Sequence, residues 1–491
     1  MRKIVIYGAS SSGKRALGYY GREQVIYFCD GDKNKVGTFF QGIEVISKNK
    51  LIEIQNEIDI IIASVYYEEI SKDLFELGIN EIKRFVCFEE TKKRIDCDLK
   101  KKLDYRSVFG KKYKLQEKGN QLNLISNEDI IFVILSQFEW IVVKSVYDNC
   151  QDLNCAVIVC GDLALLQRLG EEGVTCCSAY DYSLEERRPH AVVYVNDFVQ
   201  NYSQYSFEYK RAKKYADMII FIPFDMVIYG KDKIKQLSQR YLRQNADMVF
   251  VNLDYYEKFR PYQNNLFLEG NPKFDYIYEK INNRVAIPDH WEVKIKDRPI
   301  VLWGNTHGMS EQGISDLYSF DLWFKVIVNY FLEHREYVLI FRPHTYIFDE
   351  LIMRGIWSYQ DCKTFEKMFQ SEDNFILDLE KDYGISYNIS NALISDASGL
   401  LLSYLSTGKP IIYTATARLD YSFSDPKLIE HYYIARNSKE LDFCMDEIFK
   451  HNDPLNEKRL QTKERYIPKF DGKIGFRIAK AIKKRLKGLN E

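Results

Sequence analysis

The sequence predicts an α/β chain of three Rossmann-like domains in series. Three observations lead there. At 491 residues the chain exceeds what one hydrophobic core serves. Strand-length apolar runs alternate with helix-length segments from end to end, the pattern of parallel sheets covered by helices. These runs also fall into three groups, separated by a polar stretch and by a proline-bounded one. The 36 tyrosines and 30 phenylalanines argue for extensive ordered cores.

The first group holds strand runs at 4–8, 25–30, 59–64 and 85–88, in a domain spanning 1–115. Residues 115–127 are polar and read as a linker. The second group, at 130–135, 156–160, 191–196, 218–224 and 247–252, belongs to a domain over 128–286. Pro288 and Pro299 bracket a boundary, and the third group follows at 300–305, 337–341, 375–378, 392–395 and 410–413. This third domain spans 296–470, and a basic helix over 471–491 ends the chain.

Basic and acidic residues nearly cancel (69 against 70), so no global field favours a nucleic-acid partner. The ten cysteines include no C-x-x-C pair, and Cys29, Cys155 and Cys160 sit inside apolar runs. Thiols so placed act as small hydrophobes and fit a reducing compartment; no metal-ligand set is expected. The N-terminus enters a strand directly, without a signal-peptide plan, and no apolar run reaches membrane-spanning length. Any membrane contact is therefore expected to be peripheral.

After the first strand, Gly8-Ala-Ser-Ser-Ser-Gly13 opens a helix with the spacing of a dinucleotide-binding turn, Ser10 standing at the middle glycine. Asp30 ends the second strand, where an acid can meet ribose hydroxyls. Gly8, Ser10, Gly13 and Asp30 are thus candidate ligand residues, the alternative being a structural turn with no ligand. Arg15 stands where a P-loop needs a magnesium-binding Ser or Thr, which excludes that motif. This segment resembles the small N-terminal domains of bacterial sugar O-acyltransferases. That resemblance implies a nucleotide-sugar or regulatory site; no acyltransferase hexapeptide repeats follow.

Two strand ends in the third group carry the strongest chemical signal. Leu339-Ile-Phe-Arg-Pro-His344 delivers Arg342 and His344, and Asn391-Ala-Leu-Ile-Ser-Asp-Ala-Ser-Gly399 delivers Ser395, Asp396, Ser398 and Gly399 ahead of a helix. Ligands of open α/β sheets bind past the carboxyl ends of strands, and a helix start offers free N–H groups to an anion. Together they suit a nucleotide diphosphate.

From about 240 to 480 the chain resembles the CDP-glycerol glycerophosphotransferase family of teichoic-acid primases and polymerases. Glu269-Gly-Asn-Pro-Lys-Phe-Asp275 is similar to T-G-N-P-R-x-D, and Ile300-Val-Leu-Trp-Gly-Asn-Thr-His307 to a strand ending in a P-T-W or P-H-H cluster. Phe341-Arg-Pro-His344 is similar to K-x-H-P, Leu393-Ile-Ser-Asp-Ala-Ser398 to I-T-D-Y-S-S, and Gly408-Lys-Pro-Ile-Ile-Tyr413 to the strand after it. Asp471-Gly-Lys473 with Arg477 is similar to a C-terminal D-G-x-x-x-x-R element.

The resemblance implies that the last two domains form a GT-B pair with an interdomain cleft, and that no cofactor is needed beyond the donor substrate, CDP-glycerol. It implies transfer of glycerol phosphate to a lipid-linked or polymeric acceptor, in the cytoplasm at the inner face of the plasma membrane. His307 and His344 are the catalytic candidates, His307 as base. Arg342, Ser395, Asp396, Ser398, Gly399, Asn305 and Asn271 are the candidate substrate-binding residues. The family's W-H-G histidine has no counterpart between 130 and 290, where Phe221-Ile-Pro-Phe-Asp225 stands instead. Two alternatives stay open: another donor, CDP-ribitol or a nucleotide sugar, or a non-catalytic nucleotide-binding subunit.

In the tail, Ile474, Ile478, Ile482 and Leu486 form one apolar stripe among seven basic residues. The stripe is expected to pack back across the sheet domains, leaving the lysines for solvent or anionic lipid.

Overall fold

The computed structural model describes residues 3–64, 67–79, 82–85, 129–197, 202, 205–224, 235, 238–252, 256–257, 259–306, 309–310, 313–314, 319–344, 347–353, 356–396, 398–415 and 428–488. The polar stretch 115–127 and His307 lie outside these residues.

Three sheets carry the fold. The first comprises β1 (Lys3–Tyr7), β2 (Val25–Cys29), β3 (Phe39–Phe40), β4 (Ile43–Ile46), β5 (Ile58–Ile62) and β6 (Ile82–Arg84). Their order is β3-β4-β2-β1-β5-β6, parallel except at the β3–β4 hairpin. The run expected at 85–88 is replaced by β6, which begins earlier; 86–88 lie outside the described residues. Ile82 is buried opposite Ile60, but Lys83 and Arg84 dilute the apolar signal of this edge strand.

The second sheet comprises β7 (Ile130–Ile134), β8 (Cys155–Val159), β9 (Cys176–Ser178), β10 (Ala191–Tyr194), β11 (Met218–Phe221), β12 (Met248–Phe250) and β13 (Leu266–Phe267). It is parallel in the order β13-β12-β11-β10-β7-β8-β9. The third comprises β14 (Ile300–Gly304), β17 (Val338–Arg342), β18 (Phe375–Leu377), β19 (Ala392–Ser395), β20 (Ile411–Thr414) and β21 (Tyr433–Ala435); β15 (Met309–Ser310) and β16 (Gly313–Ile314) pair separately. Strands β7, β8, β10, β11 and β14 are buried along their whole length, which is why they read as continuous apolar runs.

The third sheet runs β18-β17-β14-β19-β20-β21. Chain order reverses between β14 and β19, the topological switch point where such sheets bind ligands. Gly304 at the end of β14 lies opposite Arg342 on one side and Ser395 on the other.

The second and third sheets belong to one compact unit, residues 122–306, 314–343 and 370–491. The first sheet belongs to another, residues 1–121 with 307–313 and 344–369, in which the helix Ser11–Tyr20 packs against the helix Ile347–Met353. The boundary expected at 287–299 is itself structured. The helix Asp289–Ile295 buries Trp291, and Lys294 donates to the carbonyls of Gln370, Glu372 and Phe375 (2.7–3.0 Å).

The final helix, Ile474–Lys487, buries the stripe Ile474, Ile478, Ile482 and Leu486, as its four-residue spacing implies. It crosses back onto the helix Gln137–Asp148 of the second domain. A Cβ at Gly475 would stand 2.5 Å from the Ser145 backbone, so only glycine permits this approach. The buried Asp275 carboxylate accepts the N–H groups of Ile474 (2.9 Å) and Gly475 (2.6 Å), capping that helix from outside. Asp275→Ala is therefore expected to lower stability by about 2 kcal/mol, read from denaturation midpoints. An unchanged midpoint would show that the cap carries no weight.

Candidate active site at the switch point of the third sheet

Ser395 closes β19, and the chain turns through Asp396, Ser398 and Gly399 into the short helix Leu400–Leu405. Asp396 is 1% exposed. Its Oδ1 accepts the Thr306 N–H (2.7 Å), and its Oδ2 accepts both the N–H (3.2 Å) and the hydroxyl (3.1 Å) of Ser319. Burial nevertheless pushes its carboxyl up to about 7, the hydrogen bonds pulling the other way. Asp396 is thus a brace joining the end of β14, the start of the helix Phe320–Glu333 and the β19 turn.

The turn is tightly built. The hydroxyls of Ser395 and Ser398 are 2.8 Å apart and buried, and Ser398 Oγ accepts the Leu400 N–H (3.3 Å). The Ser398 N–H donates to the Asp396 carbonyl (2.6 Å). Gly399 is exposed, has ordinary helical φ (−62°), and a Cβ there would meet nothing within 4 Å. Neither strain nor packing demands glycine at 399, which leaves an open face at the sheet's ligand-binding edge. Gly304 is different: a Cβ would stand 2.2 Å from Leu400 Cδ1, so glycine lets β14 and this helix close together.

Arg342, at the end of β17, is largely buried and pairs with Asp378 (2.8 Å). Asp378 is also buried and takes the Glu380 N–H (3.0 Å) and the Ser386 hydroxyl. The guanidinium faces the Tyr383 ring, 6.0 Å from its centroid. Asn305 is buried, with its Nδ2 donating to the Thr306 carbonyl (2.7 Å) and its Oδ1 without a partner among the described residues. Arg342, Asn305, Ser395, Asp396, Ser398 and Gly399 therefore share the carboxyl edge formed by β17, β14 and β19.

The remaining described candidates belong to other segments. His344 is partly buried in the unit of the first sheet, and its carbonyl accepts the Ile347 N–H (2.9 Å). Asn271 is a local tie in the second domain. Its Nδ2 donates to the Pro223 carbonyl (2.8 Å) and its Oδ1 accepts the Lys273 N–H (3.0 Å). In the first domain, Gly8 has φ +118°, and a Cβ at Gly13 would stand 1.9 Å from the Gly8 carbonyl oxygen. Both glycines are required by the turn itself. Ser10 is extended, half-buried and caps nothing with its side chain. Asp30 accepts the N–H groups of Ala9 (2.9 Å) and Asp32 (3.0 Å) and pairs with Lys35 (3.0 Å), so its carboxylate already serves the turn.

Sequence reasoning missed Ser319, Asp378 and Tyr383. Asp378 had a usable signal, an acid at a strand end beside the arginine strand; Ser319 had none.

Asp396 yields a pH prediction. Its folded pKa is raised above the unfolded 3.8. Its contribution to stability is thus full below about pH 4 and is lost as pH rises through about 7. Asp396→Asn removes that component and costs about 1–3 kcal/mol by facing an amide N–H toward backbone donors. Denaturation midpoints of both chains between pH 4 and 8 check this; parallel pH profiles would contradict it.

Residues 230–484 match the family model described as CDP-glycerol:poly(glycerophosphate) glycerophosphotransferase, and residues 1–85 match a C2185-like N-terminal family. No curated protein matches the chain in sequence. Among solved structures, the chain is similar to a variant of the wall teichoic acid polymerase TagF soaked with CDPG (TM-score 0.50, 15% identity), covering 82% of this chain and 100% of that one. It is also similar to MnaA of S. aureus in complex with UDP (TM-score 0.51, 16% identity), covering 74% and 98%. These likenesses show the fold, parallel-sheet domains of the GT-B kind. With over half its length matched by the family model, the chain belongs to the CDP-glycerol:poly(glycerophosphate) glycerophosphotransferase family.

Proposed function

We propose that the chain transfers glycerol phosphate from CDP-glycerol to a hydroxyl of a membrane-linked or polymeric acceptor, releasing CMP, in the synthesis of a bacterial surface polymer such as teichoic acid or capsule. The observation that carries this reading is the family match over 230–484, which spans every strand of the third sheet and its switch-point turn.

In the reaction, the acceptor oxygen bonds to the β-phosphorus while the bond from that phosphorus to the CMP oxygen breaks. CMP departs with the bonding pair, and the acceptor's proton passes to a base. Negative charge on the diphosphate calls for N–H donors and cations placed beforehand. The Ser398–Gly399 turn and Arg342 are suited to that task, with Asp396 holding the turn rather than moving a proton. His307 is proposed as the base, since imidazole titrates near neutrality. His344 is proposed to contact donor phosphate. Work at the inner face of the plasma membrane would use Lys480, Lys484, Arg485 and Lys487, which are exposed while the apolar stripe is not.

Purified protein given CDP-glycerol and polymer-bearing membranes is expected to release CMP only when both are present. His344→Ala is expected to lower that rate at least about a hundredfold with the fold intact. Turnover of CDP-ribitol with release of CMP, or of a nucleotide sugar with release of its nucleoside diphosphate, in place of CDP-glycerol would reassign the donor. Binding without turnover of any donor would instead support a non-catalytic subunit, the reading that the missing W-H-G histidine favours.

A further inference from the structure

Lys273 opens the helix Lys273–Asn282 at the end of the second domain, and its ammonium lies over the ring of Tyr383 in the third, 5.6 Å from the centroid. Arg342 faces the same ring at 6.0 Å. One aromatic ring thus gathers two cations supplied by two domains.

The charges around that ring are not balanced alike. Arg342 pairs with Asp378 (2.8 Å). Lys280 pairs with Asp382 (2.7 Å), which also takes the Tyr276 hydroxyl and the Gly384 N–H (2.8 Å). Lys273 has no carboxylate or carbonyl partner among the described residues, and burial alone pulls its ammonium down to about 8. Lys409 is a useful contrast. Burial brings it to about 8 as well, yet it donates to the carbonyls of Tyr387 (2.8 Å) and Asn388 (2.7 Å) at the end of the helix Gly384–Ile389. That is how a structural lysine is satisfied.

A second observation points the same way. The Tyr383 hydroxyl has no hydrogen-bond partner among the described residues, although the residue is only 6% exposed. A half-buried ammonium with no counter-charge and a buried hydroxyl with no partner among the described residues, both at one ring, are two groups that an anion would satisfy. Arg342 also stands one strand from β14, so this cluster adjoins the switch point.

We propose that Lys273, Arg342 and the Tyr383 hydroxyl form an anion subsite between the second and third domains that takes a diphosphate group. Lys273 brings a cation from the second domain to a ligand held mainly by the third, so donor binding and the approach of the two domains are coupled. The proposal rests on the donor reading above and deepens it. Inorganic pyrophosphate and the diphosphate of CDP share the recognised chemistry.

Calorimetric titration of the full chain with pyrophosphate and with CDP, at pH 7 and pH 9.5, tests it. Lys273→Met is expected to weaken both ligands at least about tenfold, while Lys273→Arg stays within about threefold. Tyr383→Phe, which removes only the hydroxyl, is expected to weaken both about fivefold and replaces Lys273→Met should that variant fail to fold. Wild-type affinity should fall relative to Lys273→Arg at the higher pH. Around this ring, burial holds the Tyr276 and Tyr383 phenols protonated far above their usual range, leaving the lysine to lose its proton. Lys273→Met binding both ligands like wild type, or a wild type binding neither, would overturn the subsite. A wild type that binds both yet releases no CMP from CDP-glycerol would keep the subsite and remove the donor reading.

Discussion

The carboxylate of Asp396 is the constraint on which the candidate site depends. A carboxyl group this deep in a domain is tolerated only when hydrogen bonds satisfy it, and here three donors from two other segments do so. The consequence is geometric. Thr306 at the end of β14, Ser319 at the start of the following long helix, and the turn after β19 cannot move independently. Gly304 adds to this by letting Leu400 approach the strand. The Ser398–Gly399 backbone is therefore presented by a rigid frame, which is what electrostatic recognition of a phosphate requires.

The pairing of the second and third domains rests on comparable polar ties. Lys294 binds three carbonyls beside β18, the Asn388 amide donates to the Lys280 carbonyl (2.7 Å), and Tyr276 meets Asp382. The tail helix then returns from the third domain to the second and is capped there by Asp275. Side chains of both domains consequently converge near Tyr383. Lys273 stands among these ties with no carboxylate or carbonyl partner among the described residues.

Much of this was legible in the sequence because parallel strands buried on both faces show as unbroken apolar runs. β7, β10, β14, β17 and β19 all lie where such runs predict. β9, β13 and β21 were missed because they are two or three residues long and sit at or near sheet edges. Within the site, Arg342 and Ser395 end strands and Asp396, Ser398 and Gly399 follow one, so all five could be placed by position alone. Their partners could not, because Ser319 and Asp378 meet them only through tertiary folding. Asn271 illustrates the converse: a motif residue whose amide proves to be engaged with its own neighbourhood. Asp30 likewise sits where a ribose ligand would, but its carboxylate completes the turn beside it.

The proposed function requires a nucleotide diphosphate to bind at the carboxyl edge of β17, β14 and β19. A crystal structure of the full chain with CDP tests it most directly. Diphosphate oxygens are expected within hydrogen-bonding distance of the Ser398–Gly399 backbone and of Arg342 or Tyr383. Diphosphate bound instead at the Gly8–Gly13 turn, or over the second sheet away from Tyr383, would contradict it.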